Sequence, residues 1–139
     1  MPPICRHIVE GRGRDWIACW AGPPPASATW IEALIAGRVF NAAYQRRWLD
    51  SLQPEDPSKP EVQRYGYGIA QISWGPNTIY FHGGEMPGFN SFMGCDPGNR
   101  GTLVIWTNLT VSLDEQPTAN TLMLKVLDQI YVVSPLRQD

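Results

Sequence analysis

With 139 residues, 43% of them hydrophobic, the chain is at most one ordinary domain, long enough to bury a core. A formal net charge of −2 and a pI near 5.6 give no electrostatic reason to bind nucleic acid or an anionic membrane. No run approaches the roughly 18 apolar residues that a membrane span requires.

The chain starts Met1-Pro-Pro-Ile-Cys-Arg-His7, without the charged start and apolar stretch of a signal peptide, and its compartment stays unassigned. Arg6, Arg12 and Arg14 lie among Gly11, Gly13, Trp16 and Trp20, followed by three prolines at 23–25. No helical or strand period is sustained there, so residues 1–28 read as an irregular arm and residues 29–139 as the folded part. Thr29-Trp-Ile-Glu32 fits a capping box opening a helix with Trp30, Ile31, Leu34 and Ile35 on one face, ended by Gly37. Asn41 is placed to cap a second helix that carries Tyr44, Trp48 and Leu52 on one side and stops before Pro54. Residues 53–64, with Pro54, Pro57 and Pro60 among charges, read as a surface loop.

The second half reads as strands. Tyr65, Tyr67, Ile69 and Ile72 nearly alternate with small or polar residues, and Pro76-Asn77 predicts a turn. Residues 78–82 form a short strand that runs into glycines. Residues 90–95 and 102–107 are joined by Asp96-Pro-Gly-Asn-Arg-Gly101, a hairpin signal. Leu103-Val-Ile-Trp106 lacks polar alternation and suggests a strand covered on both faces. Leu122, Met123, Val126, Leu127 and Ile130 mark the inner face of a helix over 118–133 that covers the sheet. The fold class this predicts is α+β, an antiparallel sheet of about four strands flanked by helices.

Cysteine chemistry is uninformative. Cys5, Cys19 and Cys95 form no CxxC pair and are odd in number, which favours reduced thiols. With His7 and His82 they make no metal-ligand spacing, so neither metal nor other cofactor is expected. Asn108-Leu-Thr110 matches a glycosylation acceptor, a pattern short enough to arise by chance. The tyrosines and six tryptophans could form a ligand platform, but at strand and helix spacing aromatics are more often core.

Five segments carry more. Trp30-Ile-Glu-Ala-Leu-Ile-Ala-Gly-Arg38, Tyr65-Gly-Tyr-Gly-Ile69, His82-Gly-Gly-Glu-Met-Pro-Gly-Phe89, the Asp96–Gly101 loop and Thr102-Leu-Val-Ile-Trp-Thr-Asn108 follow one another in order. Together they resemble the closing third of the serine β-lactamase and penicillin-binding-protein superfamily. The likeness runs over roughly Trp30 to Tyr131. It is closest to the branch of class C β-lactamases, D-Ala-D-Ala carboxypeptidases and related esterases.

The resemblance implies an incomplete β-lactamase/transpeptidase-like fold. It sets His82-Gly83-Gly84 at the Lys-Thr-Gly or His-Thr-Gly position on the strand edging the active site. His82 would then orient a substrate carboxylate or assist proton movement. Gly83 and Gly84 would let backbone approach the scissile carbonyl, and the Glu85 N–H would be one of two oxyanion donors. Alone, His-Gly-Gly is weak, since glycines after a strand usually make a turn.

The family's nucleophile lies in Ser-x-x-Lys, yet none of Ser27, Ser51, Ser58, Ser73, Ser91, Ser112 and Ser134 has a lysine three residues on. Tyr-x-Asn and Ser-x-Asn are absent too, and no GxSxG elbow replaces them. The expectation is thus the C-terminal segment of a serine hydrolase, transferring acyl groups from a β-lactam, a D-Ala-D-Ala peptide or a small ester once complemented. The alternative is a non-catalytic binding or assembly module. An uncovered sheet edge would favour self-association, or a partner chain supplying the missing half.

Overall fold

The computed structural model describes residues 24–133. The expected arm therefore lies largely outside the described residues, as do Cys5, His7 and Cys19.

Helix α1 (Pro24–Ile35) begins five residues ahead of the Thr29 capping box, so Thr29 lies within it. Its first two residues are prolines, tolerated because first-turn N–H groups have no intrahelical partner. Glu32, predicted to reach back to the cap, instead accepts a hydrogen bond from Thr102 Oγ1 at 2.8 Å, tying the helix to the last strand. The helix ends at Gly37 as expected. There φ is +69°, the Gly37 N–H donates to Leu34 O and the Arg38 N–H to Ala33 O, a Schellman close. In α2 (Ala42–Leu49), Asn41 Oδ1 accepts from the N–H groups of Ala43 and Tyr44 at 3.1 and 3.0 Å, the predicted cap. Trp48 and Leu52 are buried, but Tyr44 is 62% exposed. The short helix turns only one side inward, and Tyr44 in its first turn falls outside that side.

Six strands follow: β1 (Gln53–Pro54), β2 (Gln63–Tyr65), β3 (Ala70–Trp74), β4 (Asn77–Met86), β5 (Phe89–Asp96) and β6 (Gly101–Thr107). Each pairs antiparallel with its sequence neighbour in one sheet. The count exceeds the predicted four because the two ends of the proline-rich 53–64 segment pair with each other, and the second of them with β3. The turn expected at Pro76-Asn77 sits one residue earlier: Trp74 pairs with Asn77, and Gly75 takes φ +58° before Pro76. A glycine in the first central position is what a two-residue type II′ hairpin requires. Strand β4 does not end at the glycines but runs through them to Met86.

Helices cover both faces. Met93 and Cys95 of β5 meet Ile31 and Leu34 of α1 together with Trp48 and Leu52. Phe92 of the same strand meets Ala119, Met123 and Leu127 of α3 (Thr118–Asp128) on the opposite face. Alternation along β6 does the same: Val104 packs on the α1 face, Leu103 and Ile105 on the α3 face, while Trp106 stays 41% exposed. On α3 the inward row is 119, 123 and 127, so Leu122, expected inside, is exposed. The helix closes in a π-helical turn over Gln129–Val133. Full burial of Ile31, Ile69 and Phe92 stabilises the fold by about 1.5–3 kcal/mol each.

A buried carboxylate secures the far end of the sheet. Asp96 is 3% exposed and accepts from Tyr131 Oη at 2.6 Å, from Asn99 Nδ2 at 2.7 Å and from the Asn99 N–H at 3.2 Å. Burial pushes its carboxyl up, but the bonds from Asn99, Tyr131 and the Gly98 N–H outweigh that and hold it below the usual range. Among the described residues no helix is long and apolar enough to cross a membrane.

Candidate functional site

The sequence-predicted residues His82, Gly83, Gly84 and Glu85 are consecutive in the second half of β4. Strand β3 pairs with Asn77–Phe81 and stops there, whereas β5 continues along β4 to Met86. Among the described residues, the stretch 82–86 therefore has a strand on one side and none on the other. Alternation sends His82 and Gly84 to the α1 face and Gly83 and Glu85 to the α3 face. The four residues thus form an edge rather than a converging cluster.

His82 is half-buried opposite Met93. Burial pushes its imidazole pKa below the ordinary 6.5, partly offset by a backbone hydrogen bond at Gly83. The neutral ring is thereby favoured. It can donate from one nitrogen and accept at the other, but it is not the standing cation that a lysine would be. Of the two roles implied by resemblance, hydrogen bonding and proton transfer fit, while charge attraction of a carboxylate does not. Glu85 points an exposed carboxylate to solvent.

The peptide between Gly84 and Glu85 is held in a defined way. Asn90 Nδ2 and Ser91 Oγ, both on β5, donate to Gly84 O at 3.2 and 3.3 Å. That carbonyl therefore faces β5. In a planar trans peptide the N–H points opposite to the C=O, so the Glu85 N–H is directed away from β5, out of the unpaired edge. Among the described residues no strand pairs with that side, so such a donor faces outward, where an external oxygen could meet it.

The two glycines differ in the space around them. A Cβ on Gly84 would stand 2.8 Å from Ser91 Oγ and displace the hydroxyl that grips the carbonyl. A Cβ on Gly83 would meet Ser91 O at 3.4 Å and Asn120 Oδ1 at 3.9 Å, ordinary contact that leaves room for a side chain. Neither glycine has a positive φ, so space rather than conformational freedom explains Gly84, and neither explains Gly83.

The hairpin beyond the edge is tightly built. Met86 pairs with Phe89 across Pro87-Gly88, and Gly88 has φ +84°, as a type II turn with proline first demands. Thr110 Oγ1 accepts from the Gly88 N–H and donates to Met86 O, both at 2.7 Å, anchoring the turn from the loop after β6.

One other reactive side chain is inert. Cys95 is buried and its thiol is pushed up by desolvation, so it remains protonated at neutral pH and is no nucleophile. Among the described residues, no three His, Cys, Asp or Glu side chains gather where a metal ion could sit. Sequence reasoning missed Asn90 and Ser91. An asparagine and a serine inside a strand carry no motif, and only the strand register reveals what they touch.

No family model matches this sequence, and no curated protein matches it. Among solved structures, the chain is similar to D-amino acid amidase from Ochrobactrum anthropi SV3, crystallised in complex with D-phenylalanine. The TM-score is 0.62 at 23% identity, over 78% of this chain and 36% of that one. At that identity the likeness is one of architecture, and this chain spans about a third of the amidase's length. The six-stranded antiparallel sheet with helices on both faces is thus an α+β fold shared with part of D-amino acid amidase.

Proposed function

We propose that this chain supplies the sheet-edge half of a serine hydrolase active site of the β-lactamase and penicillin-binding-protein superfamily. The observation that carries the reading is the stretch 82–86, which among the described residues has β5 on one side and no strand on the other, with the Glu85 N–H directed outward and half-buried His82 on the same strand. The fold likeness to an amidase supports the same reading, as do the five sequence segments. The reaction is acyl transfer from an amide or ester: a β-lactam, a D-Ala-D-Ala peptide, a D-amino acid amide or a small ester.

In this reading the substrate carbonyl approaches the open edge. Its oxygen takes the Glu85 N–H as negative charge develops, and His82 exchanges a proton or hydrogen-bonds the leaving group. Gly83 and Gly84 leave the approach unobstructed. No serine of the 139 residues stands in Ser-x-x-Lys, so the nucleophile and its lysine come from outside these residues. One oxyanion donor is worth about a hundred- to a thousandfold in rate, far too little without a nucleophile. The chain alone is accordingly inactive.

Complementation tests this. The purified chain is assayed on a chromogenic cephalosporin, a p-nitrophenyl ester and D-phenylalanine amide. It is then mixed with the N-terminal segment of a related hydrolase that carries Ser-x-x-Lys and Tyr-x-Asn. We expect silence from the chain alone, turnover from the mixture, and loss of that turnover in His82→Ala. Turnover by the chain alone that His82→Ala abolishes would sink the missing-nucleophile argument. A stable but silent complex would favour a binding or assembly module instead.

A further inference from the structure

We infer that Asn90 and Ser91 are positioning residues that aim and polarise the Glu85 N–H by gripping the carbonyl of its own peptide from both faces of the sheet. The inference deepens the proposed function and rests on it only for the use to which that N–H is put; the geometry stands by itself.

The grip follows from register and alternation. Ser91 pairs with Gly84 and shares the face of Met93, toward α1. Asn90 pairs with Glu85 and lies on the α3 face, where its Oδ1 accepts the Ala119 N–H at 2.8 Å. The Asn90 side chain is 4% exposed, and its orientation is fixed by chemistry. An N–H from α3 requires the oxygen, and the Gly84 carbonyl requires the amide nitrogen. One side chain thus joins the first turn of α3 to the peptide that presents the outward donor. Thr107 Oγ1 donates to Asn90 O at 3.1 Å and holds the same residue from β6.

Hydrogen bonds accepted by a carbonyl draw electron density toward oxygen and make the N–H of the same peptide a stronger donor. They also fix the peptide plane, so the donor needs no reorientation when charge appears outside the edge. Gly84 fits this arrangement, since any Cβ there would evict the Ser91 hydroxyl. Asn90 and Ser91 touch no reacting atom and act only through the peptide.

Backbone-amide NMR on the full chain tests the inference without turnover. Asn90→Asp keeps the shape and the acceptor for Ala119 but removes the donor to Gly84 O. Ser91→Ala removes the second donor, and Ser91→Thr retains a hydroxyl. We expect the Glu85 amide nitrogen resonance to move upfield in Asn90→Asp and in Ser91→Ala, further in the double variant, and to return toward its original position in Ser91→Thr. The Ala119 amide should remain protected from exchange in Asn90→Asp. An unmoved Glu85 resonance in the folded variants overturns the inference. Should Asn90→Asp fail to fold, Ser91→Ala and Ser91→Thr decide it alone. A shifted Glu85 with no turnover on complementation would leave this geometry intact and defeat the functional reading. Turnover with an unmoved Glu85 would do the reverse.

Discussion

The two halves of β4 belong to one strand and have different surroundings. Residues 77–81 are paired with β3, Tyr80 and Phe81 also with β5, and Ile79 is 2% exposed in the α3-side core. Among the described residues, 82–86 have β5 as their one neighbouring strand, and Glu85 and Met86 are exposed. One strand thus divides labour along its length: the first half holds the sheet together, and the second offers backbone to the outside. An unpaired edge is ordinarily a liability for a folded protein. Here the open stretch carries a part-buried network behind it, the grip of Asn90 and Ser91 on Gly84, which is more than a neglected edge requires.

The contrast can be broken first at the core. Phe92 stacks on Phe81 at 5.3 Å between ring centroids and is 1% exposed, so Phe92→Ala should cost about 3–5 kcal/mol in chemical denaturation. If the halves are as unequal as described, Glu85→Ala on the other half should change stability by no more than about 0.5 kcal/mol. A smaller effect is expected at the far end of the sheet. Tyr131→Phe removes one donor to the buried Asp96 carboxylate and should cost about 1.5–3 kcal/mol, read as a lower denaturation midpoint. Removing the α2 cap with Asn41→Ala should cost about 1 kcal/mol.

The smallest effect is a pH dependence. His82 has a folded pKa below 6.5, so between that value and 6.5 the unfolded chain binds more protons than the folded one. Stability therefore falls as pH drops through that window, and His82→Gln should flatten the slope there. Asp96 acts at lower pH with the same sign. Its contribution is full above 3.8 and is lost as pH falls through its lower folded value. A stability profile in which His82→Gln leaves the slope near pH 6 unchanged would mean that the imidazole is not desolvated.

Much of this contrast was legible in the sequence. Asn41 and Gly37 marked helix ends because capping chemistry is local, and the Asp96–Gly101 hairpin was plain from its turn residues. The His82–Glu85 segment was singled out by resemblance. The length of β4 was not, because glycines signal a break in a strand pattern, and only close packing against Ser91 explains the place of Gly84 inside one. The short strands β1 and β2 hide among prolines and charges, where pairing is dictated by the neighbouring strand, β3 for β2 and β2 for β1, rather than by propensity. The outward stance of Tyr44 and Leu122 depends on which narrow side of a short helix meets the sheet, and periodicity alone leaves that open by a residue or two.

The claim that the second half of β4 is an open, outward-donating edge is tested most directly by residue-resolved amide hydrogen exchange. Tyr80 and Phe81, set between two strands, should exchange slowly. The Glu85 N–H should exchange orders of magnitude faster, and independently of protein concentration. Protection of Glu85 comparable to Tyr80 would contradict the account by placing a partner on that edge. If that protection grew with concentration, the partner would be a second copy of this chain.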